Sequence, residues 1–329
     1  MRFKILLIGA LLLMATATAQ AQEIKLVVYT SMKDSLMLKL CEAFQRQHPE
    51  IPTTYRSAGA GALMEKIEEE RMAGKIVADV LWTSEVPDFY MLKQEGMLEK
   101  YISPLASQIL NPFKDFDGSF TPARLGTLGI AYNTNIITTA PRDWSDIWAP
   151  EYQGRFGIAN PTRSGTGYLS IALLVKEFGW PFLEKIGQNH GQIGKGSSQV
   201  INDTAEGALA ACIAVDYITF DLIAKGAPLA LSYPPEMLVI PSPVAIFKGT
   251  PNLEAACKFV DFLLSYQAQI IIAREGTLPV RDDVILPALF QLPSPGEAMR
   301  RAIVINYIEL MAAKEGIVKR FFDIMLHEQ

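Results

Sequence analysis

Cysteine is scarce in this chain of 329 residues: there are three, and Cys41, Cys212 and Cys257 lie far apart with no C-x-x-C spacing. That excludes a disulfide scaffold and a thiolate metal cage. Three cysteines cannot all pair within one chain, so they read as small buried residues, with a single disulfide left open in an oxidising compartment. Histidine is equally scarce, and His48, His190 and His327 are scattered, which disfavours a metal site built on imidazoles. Basic charge is in deficit, with 30 Lys and Arg against 35 Asp and Glu, which argues against nucleic acid as a partner. No G-x-S-x-G elbow is present, and the few histidines have no suggestive spacing, so a secreted hydrolase or phosphatase is a weak reading. Internal repeats and low-complexity stretches are also missing.

Long apolar runs are absent beyond the first residues, where no stretch approaches the roughly 18 uncharged apolar residues that cross a bilayer. The first residues differ. Arg2 and Lys4 precede the apolar run Ile5 to Met14, and small residues end in Ala19-Gln20-Ala21, the pattern of a secretory leader cleaved near Ala21. Losing the leader would take the net charge from −5 to −7. No cysteine lies near the cleavage point, which disfavours a lipoprotein. A soluble, secreted, periplasmic protein is expected, without a cofactor.

A mature chain of roughly 300 residues exceeds the usual span of one core, so two domains are expected. The pattern predicts α/β: strands over 25–30, 53–57 and 77–82 alternate with helices over 34–47 and 62–73, the first helix ending before His48-Pro49. Short connections between such elements imply parallel βαβ units, whose ligands bind beyond the carboxyl ends of the strands. Three of those ends come in succession and are rich in hydroxyls: Thr30-Ser31, Ser57-Ala58-Gly59-Ala60-Gly61 and Thr83-Ser84-Glu85. They are expected to form one rim. Extended segments at 124–132 and 238–247 bracket an inserted α/β block and suggest a hinge between two lobes. Trp144, Trp148 and the proline-rich 233–243 read as packing.

Within that block, residues 157–176 read as a short apolar strand, a turn of hydroxyls and glycines, and an apolar helix. Ser164, Gly165 and Thr166 fall where the first N–H groups of a helix lack partners, which suits a phosphate or carboxylate; the plain alternative is an ordinary N-cap after an Asn-Pro turn. Arg163 stands beside it, either pairing with the anion or simply solvated. Gly194-Lys-Gly-Ser-Ser198 has the composition of a phosphate cradle without the order of a Walker loop, so Ser197 and Ser198 are candidate contacts. Asp216 and Tyr217 follow the apolar strand 211–215, and Asp216 is the candidate for the end of the ligand away from the phosphate. Asp79 reads as a structural carboxylate that bonds local backbone.

Taken in order, Leu26-Val-Val-Tyr-Thr-Ser31, Ala78-Asp-Val-Leu-Trp-Thr-Ser84, Gly129-Ile-Ala-Tyr-Asn133, Trp144-Ser-Asp-Ile147, Gly154-Arg-Phe-Gly-Ile158 and Asn160-Pro-Thr-Arg-Ser-Gly-Thr166 resemble a periplasmic solute-binding protein of an ABC transporter. The branch includes ferric, polyamine, thiamine, aminoethylphosphonate, phosphoglycerate and hexose-phosphate binders; it commonly has Asp where Asn160 stands. The resemblance implies the type II two-lobed fold, its lobes joined by two hinge strands, with lobe 1 at 22–125 and 241–329, lobe 2 at 126–240, and solute held between. It further implies a monomer delivering an anionic small molecule to a membrane permease, or serving as the sensing partner of a membrane kinase. Ferric binders of the branch use a tyrosine pair, where this chain has the single Tyr217 in Ala214-Val-Asp-Tyr-Ile-Thr219; polyamine binders need more carboxylates than Glu85 and Asp216 supply. A phosphorylated or phosphonate metabolite is the expected solute, with ferric ion second and polyamines third.

Overall fold

In the computed structural model, which describes residues 25–113, 116–290 and 292–327, the first strand, β1 (Leu26–Thr30), is buried along almost its whole length. It lies between β2 (Thr53–Ser57) and β3 (Val80–Trp82), parallel to both. Such burial on both faces is what an unbroken Leu-Val-Val-Tyr run requires. Between these strands run α1 (Asp34–Gln47) and α2 (Ala60–Met72); α1 buries Leu36, Met37, Leu40, Cys41 and Phe44, the i, i+4 and i+7 stripe of an amphipathic helix. The third strand starts later than its sequence suggests, because Asp79 is occupied: its carboxylate accepts the Val27 N–H at 2.7 Å and bonds Thr250 and Asn252. Helix α3 (Val86–Gln94) follows.

Strand β4 (Thr121–Asn133) then crosses the molecule. Beyond it come β5 (Phe156–Ala159), α4 (Gly165–Phe178), α5 (Trp180–Gln188), β6 (Gln192–Gly194), α6 (Ser197–Ala205), β7 (Ala211–Val215), α7 (Asp216–Ala224) and β8 (Leu229–Ser232). The chain returns along β9 (Leu238–Ile246) into α8 (Leu253–Leu264), α9 (Tyr266–Arg274), α10 (Pro295–Arg301) and α11 (Tyr307–His327). The strands form one curled sheet in the order β2-β1-β3-β9-β4-β7-β5-β6, with β8 on β4.

Two lobes result, and β4 and β9 are what joins them. The start of β4 pairs antiparallel with β9, its end with β7 and β8, while the end of β9 pairs with β3. Pro122, Pro241 and Pro243 sit in this crossing pair, facing Pro243, Leu125 and Pro122 respectively, and the register shifts between Pro122 and Arg124. Proline gives no N–H to a ladder and is ordinarily kept from central strands. Each of these prolines withholds one N–H from the pair that joins the lobes.

The tail, assigned by sequence to the first lobe, touches both. Helix α11 lies against α3 on one side and α4 and α5 on the other. Tyr168 on α4 donates to the Leu310 carbonyl at 2.6 Å, while Lys314 reaches Glu85 and Asp88 at 3.0 and 3.4 Å. Phe321 on α11 is completely buried. Phe321→Ala is expected to lower the stability of the whole protein by about 3–5 kcal/mol, as for an interior aromatic; equilibrium urea unfolding measures it, and a loss near zero would show that the helix is only a loose appendage.

Candidate functional site

The cleft between the lobes encloses a cavity of about 490 Å³. On the second lobe, two helices begin at its wall. Ser164 caps α4, its hydroxyl accepting the Gly167 N–H at 3.1 Å. The α6 helix starts after Gly196 with no side-chain cap. Apart from Gly167, whose N–H the Ser164 cap takes, the first-turn amides of the two helices have no carbonyl of the preceding turn to bond, and each start carries the positive end of its helix dipole.

Three hydroxyls join the two helix starts. Ser164 Oγ lies 3.0 Å from Thr166 Oγ1 and 3.0 Å from Ser197 Oγ, and the last two are 2.8 Å apart. A triangle of hydroxyls can turn its protons outward together, a pattern matched to the oxygens of a tetrahedral oxyanion. Arg163 and Lys195 flank it, and among the described residues neither has a carboxylate partner. Ser198 and Gln199 complete this wall.

The first lobe supplies Ser31, Ser57, Gly59, Ala60 and Ser84. Gly59 and Ala60 form the uncapped start of α2. Ser31 Oγ accepts the Ser84 N–H at 3.3 Å, whereas Ser57 Oγ donates to the Met32 carbonyl at 2.8 Å. The lobes meet closely here. A Cβ on Gly59 would come within 2.9 Å of the Arg163 carbonyl oxygen, and one on Gly61 within 2.9 Å of the Thr162 carbonyl oxygen. Both glycines thus let backbone approach backbone across the cleft mouth. Gly61 does not itself line the cavity.

Besides Gly61, three sequence candidates lie elsewhere than expected. Thr30 is fully buried, its hydroxyl donating to the Trp82 carbonyl at 2.8 Å and accepting the Met32 N–H, so it shapes the turn behind Ser31. Glu85 does not line the cavity: Oε1 takes Lys314 of the α11 cluster while Oε2 lies against Gly165 at the α4 start; burial, then the neighbouring Asp88 carboxylate, raises its pKa to about 8 despite Lys314. Asp216 is wholly buried and accepts from the Thr127 N–H and hydroxyl, the Thr277 hydroxyl and the Tyr217 N–H. Its position at a strand end was read correctly, but the carboxylate points inward because Arg124, 3.8 Å away, needs a counter-charge. Tyr217 does line the cavity, its ring 4.5 Å from the Arg124 guanidinium and 5.2 Å from Lys33 Nζ.

Arg124, Lys33 and Lys195 were not singled out from sequence. Arg124 carried a signal: a lone arginine in an otherwise apolar segment predicted as a strand must find a partner. Lys195 stood inside the Gly194–Ser198 cradle composition without being taken as a contact, and Lys33 carried no signal, since surface lysines flank helix starts everywhere. With Arg163 they make four cations around a cavity that no carboxylate among the described residues lines.

The family model for bacterial extracellular solute-binding proteins matches residues 75–309. The phosphoglycerate transport regulatory protein PgtC of Salmonella typhimurium is 25% identical over 321 residues, which cover 93% of this chain and 78% of that protein. A putative 2-aminoethylphosphonate-binding periplasmic protein of the same organism is 24% identical over 256 residues, 71% of each chain. Among solved structures, the periplasmic binding protein AfuA of Actinobacillus pleuropneumoniae, with exogenous fructose-6-phosphate bound, superposes with a TM-score of 0.80 at 23% identity, over 92% of this chain and 99% of that one. Iron-bound HitA of Pseudomonas aeruginosa gives 0.77 at 23% identity, over 91% and 99%. The two solved structures share the fold.

Removing one member of the buried pair should cost more stability than any hydroxyl of the cavity. Asp216→Ala leaves Arg124 charged and unpaired, and an unfolding free energy lower by about 3–5 kcal/mol is expected in denaturant titration; a loss below about 1 kcal/mol would mean the pair is not structural. The Glu85 carboxyl gives a pH signature. Its folded pKa lies above the ordinary 4.5, so the folded state holds the proton more tightly, and its contribution is full at low pH and lost as pH rises from 4.5 to about 8. The stability of Glu85→Gln should fall less than that of the parent between about pH 5 and about pH 8; parallel profiles would contradict this.

Proposed function

The chain belongs to the bacterial extracellular solute-binding proteins, which deliver small-molecule ligands to ABC permeases, and from that membership we propose that it captures a phosphorylated or phosphonate metabolite in the cleft between its lobes. The family is one of binding proteins rather than enzymes, and it works outside the cytoplasm. The observation that carries the ligand class is the meeting of two helix N-termini, three mutually bonded hydroxyls and two carboxylate-free cations at one wall. Each of these features favours a compact anion.

In this reading Ser164, Gly165, Thr166, Ser197 and Ser198 hold the phosphoryl group from the second lobe, with Arg163 and Lys195 balancing its charge. Ser31, Ser57, Ser84 and the Gly59-Ala60 helix start close over it from the first. Closure is then driven by the ligand, because donors from both lobes are satisfied only when they are together. The permease reads the closed shape. Relatives support the ligand class, since the names of two of them specify phosphoglycerate transport and aminoethylphosphonate binding.

A polyamine would face Lys33, Arg124, Arg163 and Lys195 with no lining carboxylate to receive its ammonium groups. A ferric ion would need anionic oxygen ligands, and the one lining phenol, Tyr217, is held protonated by burial even beside Arg124. Sensing by a membrane kinase would use the same closed form.

Differential scanning fluorimetry with phosphorylated sugars, phosphoglycerates, aminoethylphosphonate, spermidine and ferric citrate tests the proposal, because a ligand of the native state raises its stability by RT ln(1 + [L]/Kd). A rise confined to phosphorylated or phosphonate compounds is expected; a rise only with spermidine or ferric citrate would refute it. Gly61→Val, which puts carbon against the Thr162 carbonyl, is expected to weaken binding of the active compound at least about tenfold by propping the cleft open. Unchanged affinity in that variant would show that closure is not needed.

A further inference from the structure

Resting on the closing motion of that reading, though not on the identity of the solute, we infer that Glu85 is a proton-dependent latch between the lobes: shutting the cleft buries its carboxyl, so closure takes up a proton and weakens as the medium turns alkaline. Glu85 stands on the first lobe, between β3 and α3, and is 3% exposed. What lies against one of its carboxyl oxygens belongs to the second lobe. A Cβ on Gly165 at the α4 start would come within 2.5 Å of Glu85 Oε2, 2.9 Å of its Cβ and 3.2 Å of its Cα. Only a glycine lets the first lobe approach this closely. Parting the lobes draws the α4 start off that face and lets water reach Oε2.

The charges around Glu85 do not balance when it is ionised. Its other oxygen, Oε1, lies 3.0 Å from Lys314 Nζ on α11, and the same ammonium is 3.4 Å from Asp88 Oδ1 on α3. Two buried carboxyls thus share one cation. From α4 comes Tyr168, its ring 5.3 Å from Lys314 Nζ and its hydroxyl donating to the Leu310 carbonyl; burial, then Glu85, raises its pKa, so it stays neutral. The first turn of α4 brings no acidic or basic side chain. With both carboxyls ionised the cluster would hold an uncompensated negative charge out of water, and a proton on it removes that cost.

The sign follows from burial. In the closed molecule burial, then Asp88, lifts the Glu85 pKa to about 8 against the pull of Lys314, whereas a carboxyl returned to water titrates near 4.5. The closed form holds the proton more tightly, so closure is fully supported at low pH and loses support as pH rises to about 8, by up to about tenfold in the closing equilibrium per pH unit. The anion site pushes the same way. An ionised Glu85 would set negative charge against Gly165, the helix start that holds the phosphoryl group in the reading above.

NMR of the full, solute-free protein with isotope-labelled glutamate carboxyls follows the titration directly, the Glu85 signal being the one lost in Glu85→Gln. A midpoint above about pH 7 is expected in the parent, and one lower by at least about one pH unit in Gly61→Val, whose added carbon props the cleft open. Coincident midpoints, or a parent midpoint below about pH 6, would overturn the inference. Should Gly61→Val fail to fold, small-angle X-ray scattering needs no cleft variant. From about pH 5 to about pH 9 the parent is expected to expand, while Glu85→Gln, neutral throughout, keeps the dimensions of the parent in acid. Equal expansion in both, or none in the parent, would sink the latch. Neither measurement uses a solute, so the two readings fail separately: a latch seen without a response to any phosphorylated or phosphonate compound refutes the anion site alone, and a phosphate-specific response with coincident midpoints refutes the latch alone.

Discussion

Arg124 and Asp216 form a buried ion pair at the junction of everything that must hold or move. Arg124 stands on β4 and bonds Ser242 on β9 and Ser84 at the end of β3, Asp216 opens α7 of the second lobe and bonds Thr127 on β4, and Thr277 after α9 bonds both. Taking two charges out of water is costly, and attraction alone seldom offsets the cost. The hydroxyls and amides add to it: Asp216 receives four donors, which, together with the guanidinium, oppose the upward push of burial on the carboxyl's pKa, although burial is the larger effect. A network this saturated tolerates few alternative geometries. It fixes how β4, β9 and α7 meet and so decides where the cavity lies.

The cavity repeats the same physics with the balance reversed. At the hinge every charge is matched by the protein. At the wall formed by α4 and α6, the three hydroxyls bond one another and the Gly167 N–H, while the cations Arg163 and Lys195 have no carboxylate partner among the described residues. Donors without partners in a cleft are costly to leave unmatched, and in the reading proposed above an anion would match them.

How far the sequence led can be judged residue by residue. The βαβ units of the first lobe, the two crossing strands and the α4 start with its Ser164 cap were legible because each is a local signal, a hydrophobic period or a turn composition. Ser197 was legible for the same reason. Asp216 and Glu85 were placed in the right neighbourhoods but given the wrong direction, since a strand end shows where a carboxylate is and not which way it turns. What turned them is non-local: Arg124 lies 92 positions before Asp216, and Lys314 lies 229 after Glu85. Lys33 could not have been picked out, because nothing local distinguishes a lysine at a cleft from one in open solvent, whereas Lys195 lay within the Gly194–Ser198 composition that pointed to Ser197. The late start of β3 has a similar origin in Asp79 and its contacts with Thr250 and Asn252.

Helix α11 gives the molecule a mechanical property that a simple pair of hinged lobes lacks. It is fastened to α3 by the Lys314 cluster and to α4 by the Tyr168 hydroxyl. For the cleft to gape, one fastening must stretch or let go, so the helix acts as a spring in parallel with the solute. Such a spring narrows the range of angles explored without ligand and slows the escape of a bound solute. The energy to unload the protein must then come from whatever grips both lobes at the membrane.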